Sequence, residues 1–135
     1  MDNLKAFLKE NKAETQNIFA EVSSDFKDEE GNVIKWELRS ITTSEDEEIR
    51  NDCTVFDGER SRLNTGKYIA KLVASSVVYP DLYNMELQDS YGVKTPEELL
   101  KAMVDKPGDF SRLTETVHRL NGFTSFKEDV ETAKN

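Results

Sequence analysis

Apolar residues recur along this chain with two different spacings, and the switch between them outlines an architecture. The most apolar stretch runs from Asn64 to Pro80, NTGKYIAKLVASSVVYP. On a helix, Tyr68, Leu72, Ser76 and Tyr79 line one side, and Ile69, Val73 and Val77 line the next. Ala70, Ala74 and Val78 widen the stripe until the second half is apolar almost all round, which is the pattern of a helix packed between other elements. Asn64 can cap its start and Pro80 cannot continue it. The spacing therefore predicts one central helix over 64–80.

Upstream the period is two. Ile18 to Phe26 and Val33 to Ile41 both alternate, the second with Ile34, Trp36 and Leu38 opposed to Lys35, Glu37 and Arg39. The polar turn Lys27–Asn32, ending in Gly-Asn, joins them, so the pair reads as a β-hairpin. A lone hairpin is marginal in water, and the Trp36 face must cover the helices or meet another chain. Before the hairpin, Leu4, Phe7 and Leu8 sit at helical spacing and predict a short helix over Asp2–Gln16 with a narrow apolar stripe.

Downstream the period is helical throughout. Thr42-Thr43-Ser44 followed by Glu45–Glu48 has the form of a capping box, opening a helix to about Cys53 that buries Ile49 and Cys53. Thr54 to Leu63 has no period and contains Asp-Gly, so it is expected to be a loop. After the turn Asp81–Asn84, Asn84 caps a short helix from Met85 to Tyr91 that closes at Gly92. Thr95, Pro96 and Glu98 form another helix start, with Leu99, Leu100 and Met103 on its buried face. Pro107-Gly108 ends that helix. Asp109 is expected to cap a last one carrying Leu113, Val117 and Leu120, closed by Asn121-Gly122. The expected fold class is α+β: an N-terminal β-hairpin followed by a mainly helical bundle around one central apolar helix. The expected organisation is a single domain over 1–123 with a polar tail over 124–135.

Composition narrows the function. The chain has 135 residues, with 27 acids against 18 bases, a net charge of -9, and charged residues at 33%. That acidic balance argues against nucleic acid or an anionic membrane as the main partner. The single cysteine, Cys53, allows no internal disulfide. The start is charged and amphipathic, without a signal core, and no apolar run approaches a membrane span, so a cytoplasmic protein is expected.

The residues offer little chemistry. His118 is the one histidine and has no partner motif, so it reads as a surface helix residue rather than a base or metal ligand. Cys53 reads as a buried or idle thiol. The acidic turn 25–31 fails as a calcium loop, because placing Gly31 at the sixth position puts Phe26 where the first oxygen ligand belongs. No glycine loop for phosphate is present. No catalytic residue, metal site or cofactor is expected.

A family resemblance goes further. Lys35–Thr42 (KWELRSIT), Glu47–Thr54 (EEIRNDCT), Lys67–Val73 (KYIAKLV), Val77–Leu82 (VVYPDL), Glu86–Val93 (ELQDSYGV) and Leu120–Phe123 (LNGF) occur in an order and spacing that covers most of the chain. The series resembles the XkdN-like tail assembly chaperones of long-tailed bacteriophages and prophages. That resemblance implies a non-enzymatic protein of the host cytoplasm that binds the tape measure protein. It would keep that protein's apolar helical segments soluble until tail tube subunits polymerise around it, and would be absent from the mature virion. It also implies structural roles for Trp36, Tyr68, Leu72, Gly92 and Gly122. A longer product made by ribosomal frameshifting and a homo-oligomer are left open, and a structural component retained in the tail or baseplate is the alternative. A holding chaperone needs exposed apolar surface together with solubilising charge. Two segments too short to bury their apolar residues supply candidates: Leu4, Phe7 and Leu8, and the region of Leu82, Tyr83, Leu87 and Tyr91.

Overall fold

Strand β1 (Ile18–Glu21) pairs antiparallel with β2 (Lys35–Leu38), placing Ile18 opposite Leu38 and Ala20 opposite Trp36. The computed structural model to which these strands belong describes residues 3–124. The alternation read from sequence sets the faces: Trp36 and Leu38 are buried, while Phe19 and Glu21 face outward. The strands are shorter than predicted, because the chain beyond Glu21 and before Lys35 keeps only an isolated bridge, Lys27 to Val33. The turn between them is closed by the Asp28 carboxylate, which accepts from the backbone N–H of Glu30 and Asn32 at 2.9 Å each, with Gly31 at φ +86°. That geometry is an Asx turn, and the carboxylate is occupied by backbone donors.

The hairpin is not alone. The predicted central helix divides into α3 (Thr65–Ser76) and a third strand, β5 (Val77–Tyr79), which pairs antiparallel with β2 to give the order β1-β2-β5. The β-branched pair Val77-Val78 favours the pleated conformation over a further helical turn once an unpaired strand edge lies beside it. The register shifts between Glu37 and Leu38, so Val78 is the extra residue of a bulge. Asn64 caps α3 as expected, its Oδ1 accepting from Lys67 N.

Helix α2 (Thr43–Asp52) starts with a full capping box between Thr42 and Glu45, and Ile49 and Cys53 are buried as predicted. The segment expected as a loop is instead a second hairpin, β3 (Thr54–Asp57) with β4 (Arg60–Leu63), turning at Gly58 with φ +65°. Its alternation was hidden because neither face is covered; only Thr54 and Leu63, at the base, are half-buried. Helix α4 (Met85–Ser90) is capped by Asn84 and closes at Gly92, φ +68°. Helix α5 (Pro96–Met103) has Thr95 as cap and Pro96 in its first turn. Helix α6 (Pro107–Leu120) begins two residues before its predicted cap. Pro107 opens it, and Asp109 lies inside the first turn, paired with Arg112. A proline in the first turn loses no helical hydrogen bond, so Pro107 starts this helix instead of stopping the previous one.

At the N-terminus the predicted helix shrinks to one turn, α1 (Leu4–Phe7), followed by a 3-10 turn at Lys9–Asn11. Every described residue from 3 to 17 is exposed. Without a buried face, a helix this short lacks the tertiary packing that stabilises most helices in proteins.

One core joins these elements. Trp36 and Leu38 of the sheet meet Leu72 and Val73 of α3, Leu99 and Leu100 of α5, and Leu113 and Val117 of α6. Asn121 fastens its edge. Its Oδ1 accepts from Ile41 N at 2.7 Å and Ser40 Oγ at 3.2 Å, and its Nδ2 donates to Val117 O at 2.9 Å and Ser76 Oγ at 3.3 Å. One side chain thereby ties the end of α6 to the β2–α2 connection and to the α3–β5 junction.

Candidate interaction surface

Two buried or half-buried polar clusters hold the scaffold. Arg39 forms a forked pair with Glu45, at 2.6 and 3.1 Å. The Arg39 hydrogen bonds, helped by the Thr42 backbone N–H against a desolvation cost, hold the Glu45 carboxyl down at about 2. The Tyr68 hydroxyl donates to Asp46 Oδ1 at 2.5 Å and accepts from Arg50, whose guanidinium also lies over the Tyr68 ring at 4.6 Å. Burial first, and then the hydrogen bond to Asp46, push the Tyr68 hydroxyl well above its ordinary value. This trio clasps α2 to α3 through three side-chain hydrogen bonds.

The residues set aside as chemically idle sit accordingly, with one correction. Cys53 is buried, and that burial raises its thiol pKa. His118, expected on the surface, is buried at 5% exposure with its ring 5.1 Å from that of Phe123. Phe123 folds back beyond Gly122 and covers that side of α6, which the helical stripe alone did not reveal. Among the described residues, no group of three His, Cys, Asp or Glu side chains is placed to hold a metal ion, and no helix is long and apolar enough to cross a membrane.

What the surface does carry is apolar side chains. Leu4, Phe7 and Leu8 are exposed, Phe7 at 82%. In the second region the structure divides the predicted set. Tyr83 is 72% exposed and Tyr91 is at the surface, whereas Leu87 is half-buried against the core. Leu82 is corrected from surface to core: it is 1% exposed, and its carbonyl accepts from Gln88 Nε2 at 2.8 Å. The Asx turn at Asp81, whose Oδ1 accepts from Tyr83 N, turns Leu82 inward and Tyr83 outward. Among the described residues, six further large apolar side chains are exposed outside the predicted sets, Val55 and Val78 being the least exposed of them. Phe19 and Tyr79 flank Glu37 in one row across the outer face of the sheet, Met85 opens α4, and Phe56 projects from the β3–β4 hairpin. Phe19 had a usable signal, since alternation put it opposite Ile18 and Ala20. Tyr79 had none, because it was assigned to a helix.

Beside Tyr79 an open groove of about 510 Å³ is lined by Tyr79, Pro80, Asp81, Asn84, Glu86 and Leu87. The segment Tyr79–Val93 that forms it contains Asp81, Glu86 and Asp89 and no basic residue. The arrangement suits docking of an apolar, positively charged segment more than it suits catalysis.

Comparison with known proteins places this scaffold. The phage-like element PBSX protein XkdN of Bacillus subtilis (strain 168) is 29% identical over 139 residues, covering 98% of this chain and 94% of that protein. The protein YqbN of the same strain is 26% identical over 136 residues, covering 97% and 91%. The crystal structure of YqbN superposes with a TM-score of 0.79 at 24% identity over 91% of this chain and 98% of that one, so the two share a fold. The model of the phage XkdN-like tail assembly chaperone proteins matches residues 4–134. The chain belongs to the family of XkdN-like phage tail assembly chaperones.

Proposed function

We propose that this protein binds the tape measure protein during phage or prophage tail assembly. It keeps the apolar helical segments of that long protein soluble in the host cytoplasm until tail tube subunits polymerise around them. It then leaves, and is absent from the finished virion. The role is non-enzymatic. The observation that carries this reading is membership of the tail assembly chaperone family across residues 4–134.

The surface supports it. Phe7, Phe19, Phe56, Tyr79, Tyr83 and Met85 are all exposed on a body whose net charge is -9. Apolar contact groups take hold of an aggregation-prone helix, while like charge keeps the complexes apart. Leu4, Phe7, Leu8, Tyr83, Leu87 and Tyr91 remain the proposed contact residues, and Phe19 and Tyr79 join them. Leu82 acts from beneath by holding the Asp81–Asn84 turn.

The test is co-expression with the tape measure protein of the same phage or prophage, followed by solubility and pull-down assays. A soluble, co-purifying large protein supports the reading. If it stays insoluble and uncaptured both with this chain and with any frameshifted longer product, the reading fails. Mass spectrometry of purified particles checks the departure: peptides of this chain at stoichiometric yield contradict it.

A further inference from the structure

The two apolar surfaces singled out above differ in charge. The exposed N-terminal arm, Asn3–Asn17, carries Lys5, Lys9 and Lys12 against Glu10 and Glu14, a positive segment in a chain of net charge -9. Its apolar residues cluster: Leu4 and Phe7 share one side of α1 and Leu8 follows directly. The groove by β5 has the opposite character. Tyr79, Pro80 and Leu87 give it an apolar floor, and Asp81 and Glu86 are its charged lining residues. The arm leaves from β1, at one edge of the sheet, and the groove adjoins β5, at the other. Among the described residues the arm is exposed along its whole length and the groove is open.

We propose that the groove takes the N-terminal arm of a second copy of this chain. Phe7 and Leu8 of one copy pack on Tyr79, Pro80 and Leu87 of the other, and Lys5 and Lys9 face Asp81 and Glu86. Reciprocal exchange of two arms into two grooves closes the contact with two-fold symmetry. Docking also gives the arm the buried face it lacks alone, so the helical turn at Leu4–Phe7 can extend along the helical pattern of its sequence. In the free protein the two surfaces then cover each other, and an apolar client competes with the arm. The contact between copies does not depend on which client that is.

Sedimentation equilibrium of the full chain, over a wide concentration range, tests the proposal. The expected result is reversible self-association. Phe7→Asp weakens it by about tenfold or more, because a large apolar side chain no longer leaves water. Leu87→Lys does the same from the groove side. An equimolar mixture of the two variants associates again, since one contributes an intact groove and the other an intact arm. Lys5→Glu with Lys9→Glu weakens association severalfold, and adding Glu86→Lys to the same chain restores part of it; these three side chains are exposed, and Asp81 is left in place because its carboxylate holds the turn that buries Leu82. A protein that is monomeric at every concentration overturns the proposal and leaves the groove to its own arm or to another protein. An oligomer that neither single variant weakens, or a mixture that stays dissociated, overturns it equally.

Discussion

Replacing Asn121 with alanine tests how the end of α6 is held to the rest of the protein. The amide makes four hydrogen bonds to three different elements, between 2.7 and 3.3 Å. A neutral hydrogen bond contributes a net ~1 kcal/mol, and a buried group stripped of its partner costs ~1–3 kcal/mol. Val117 O retains the helical N–H of Asn121, so its loss is small. The Ile41 N–H and the Ser76 hydroxyl, on a residue with no exposed surface, lose more. The expected destabilisation is therefore ~2–4 kcal/mol, or a fall in melting temperature of roughly 6–16 °C for a domain of this size. Urea unfolding measures it, with an unchanged m-value showing that the folded and unfolded states are otherwise comparable. Ser76→Ala should cost ~1 kcal/mol by itself, and the double variant should fall short of the sum, because the two side chains share a bond. A loss below ~0.5 kcal/mol for Asn121→Ala, or strict additivity with Ser76→Ala, would refute the argument and show that water replaces the amide.

Other perturbations have equally definite outcomes. Leu72→Ala, in the fully buried row of α3, should cost ~2–5 kcal/mol in urea unfolding. Gly92→Ala should cost ~1 kcal/mol by thermal melting, since φ +68° is unfavourable for any residue with a Cβ, although the space itself is open. Glu45 is held at about 2 against an ordinary 4.5, so the folded state binds fewer protons than the unfolded one. Its contribution is complete above about 4.5 and is lost as pH falls towards 2. That carboxylate is more than a third exposed, which limits the effect to below ~1 kcal/mol. Glu45→Gln should remove this component from a pH series of unfolding curves while leaving the capping geometry possible. Phe7→Ser and Tyr83→Ser should change stability by less than ~0.5 kcal/mol, while lowering recovery of the soluble client in the co-expression assay.

The helices were legible wherever caps and apolar spacing agreed. Thr42 with Glu45, Asn84 before Leu87 and Thr95 before Pro96 all mark true helix starts, and Trp36, Tyr68 and Leu72 lie where their periods put them. The errors share one cause, which is that tertiary partners override local pattern. Val77–Tyr79 fits a helix by spacing, and only the free edge of β2 makes it a strand. Thr54–Leu63 lacks alternation of polarity because both of its faces meet water. Residues 2–16 have helical spacing, but the described part, from residue 3, buries no side chain. For the interaction surface, exposure of Phe7, Tyr83 and Tyr91 followed from segments too short to bury them, whereas the inward turn of Leu82 depends on the Tyr83 N–H donating to the Asp81 carboxylate, which no periodicity encodes. The polar tail expected over 124–135 lies, apart from Thr124, outside the described residues.

The third strand also dictates an order of events. Leu38 and Val77 are neighbours in the sheet, but α2, the β3–β4 hairpin and α3 all lie between them in the chain. Closing that long loop costs entropy before any pairing energy returns. β1 and β2 alone are too few strands to persist. The sheet therefore completes only after α3 has packed, and α3 needs the Trp36–Leu38 face to pack against. Sheet and central helix should appear in one kinetic step, with substitutions at Leu38, Leu72 and Val77 slowing refolding together. A nascent chain still tethered before Tyr79 would hold neither.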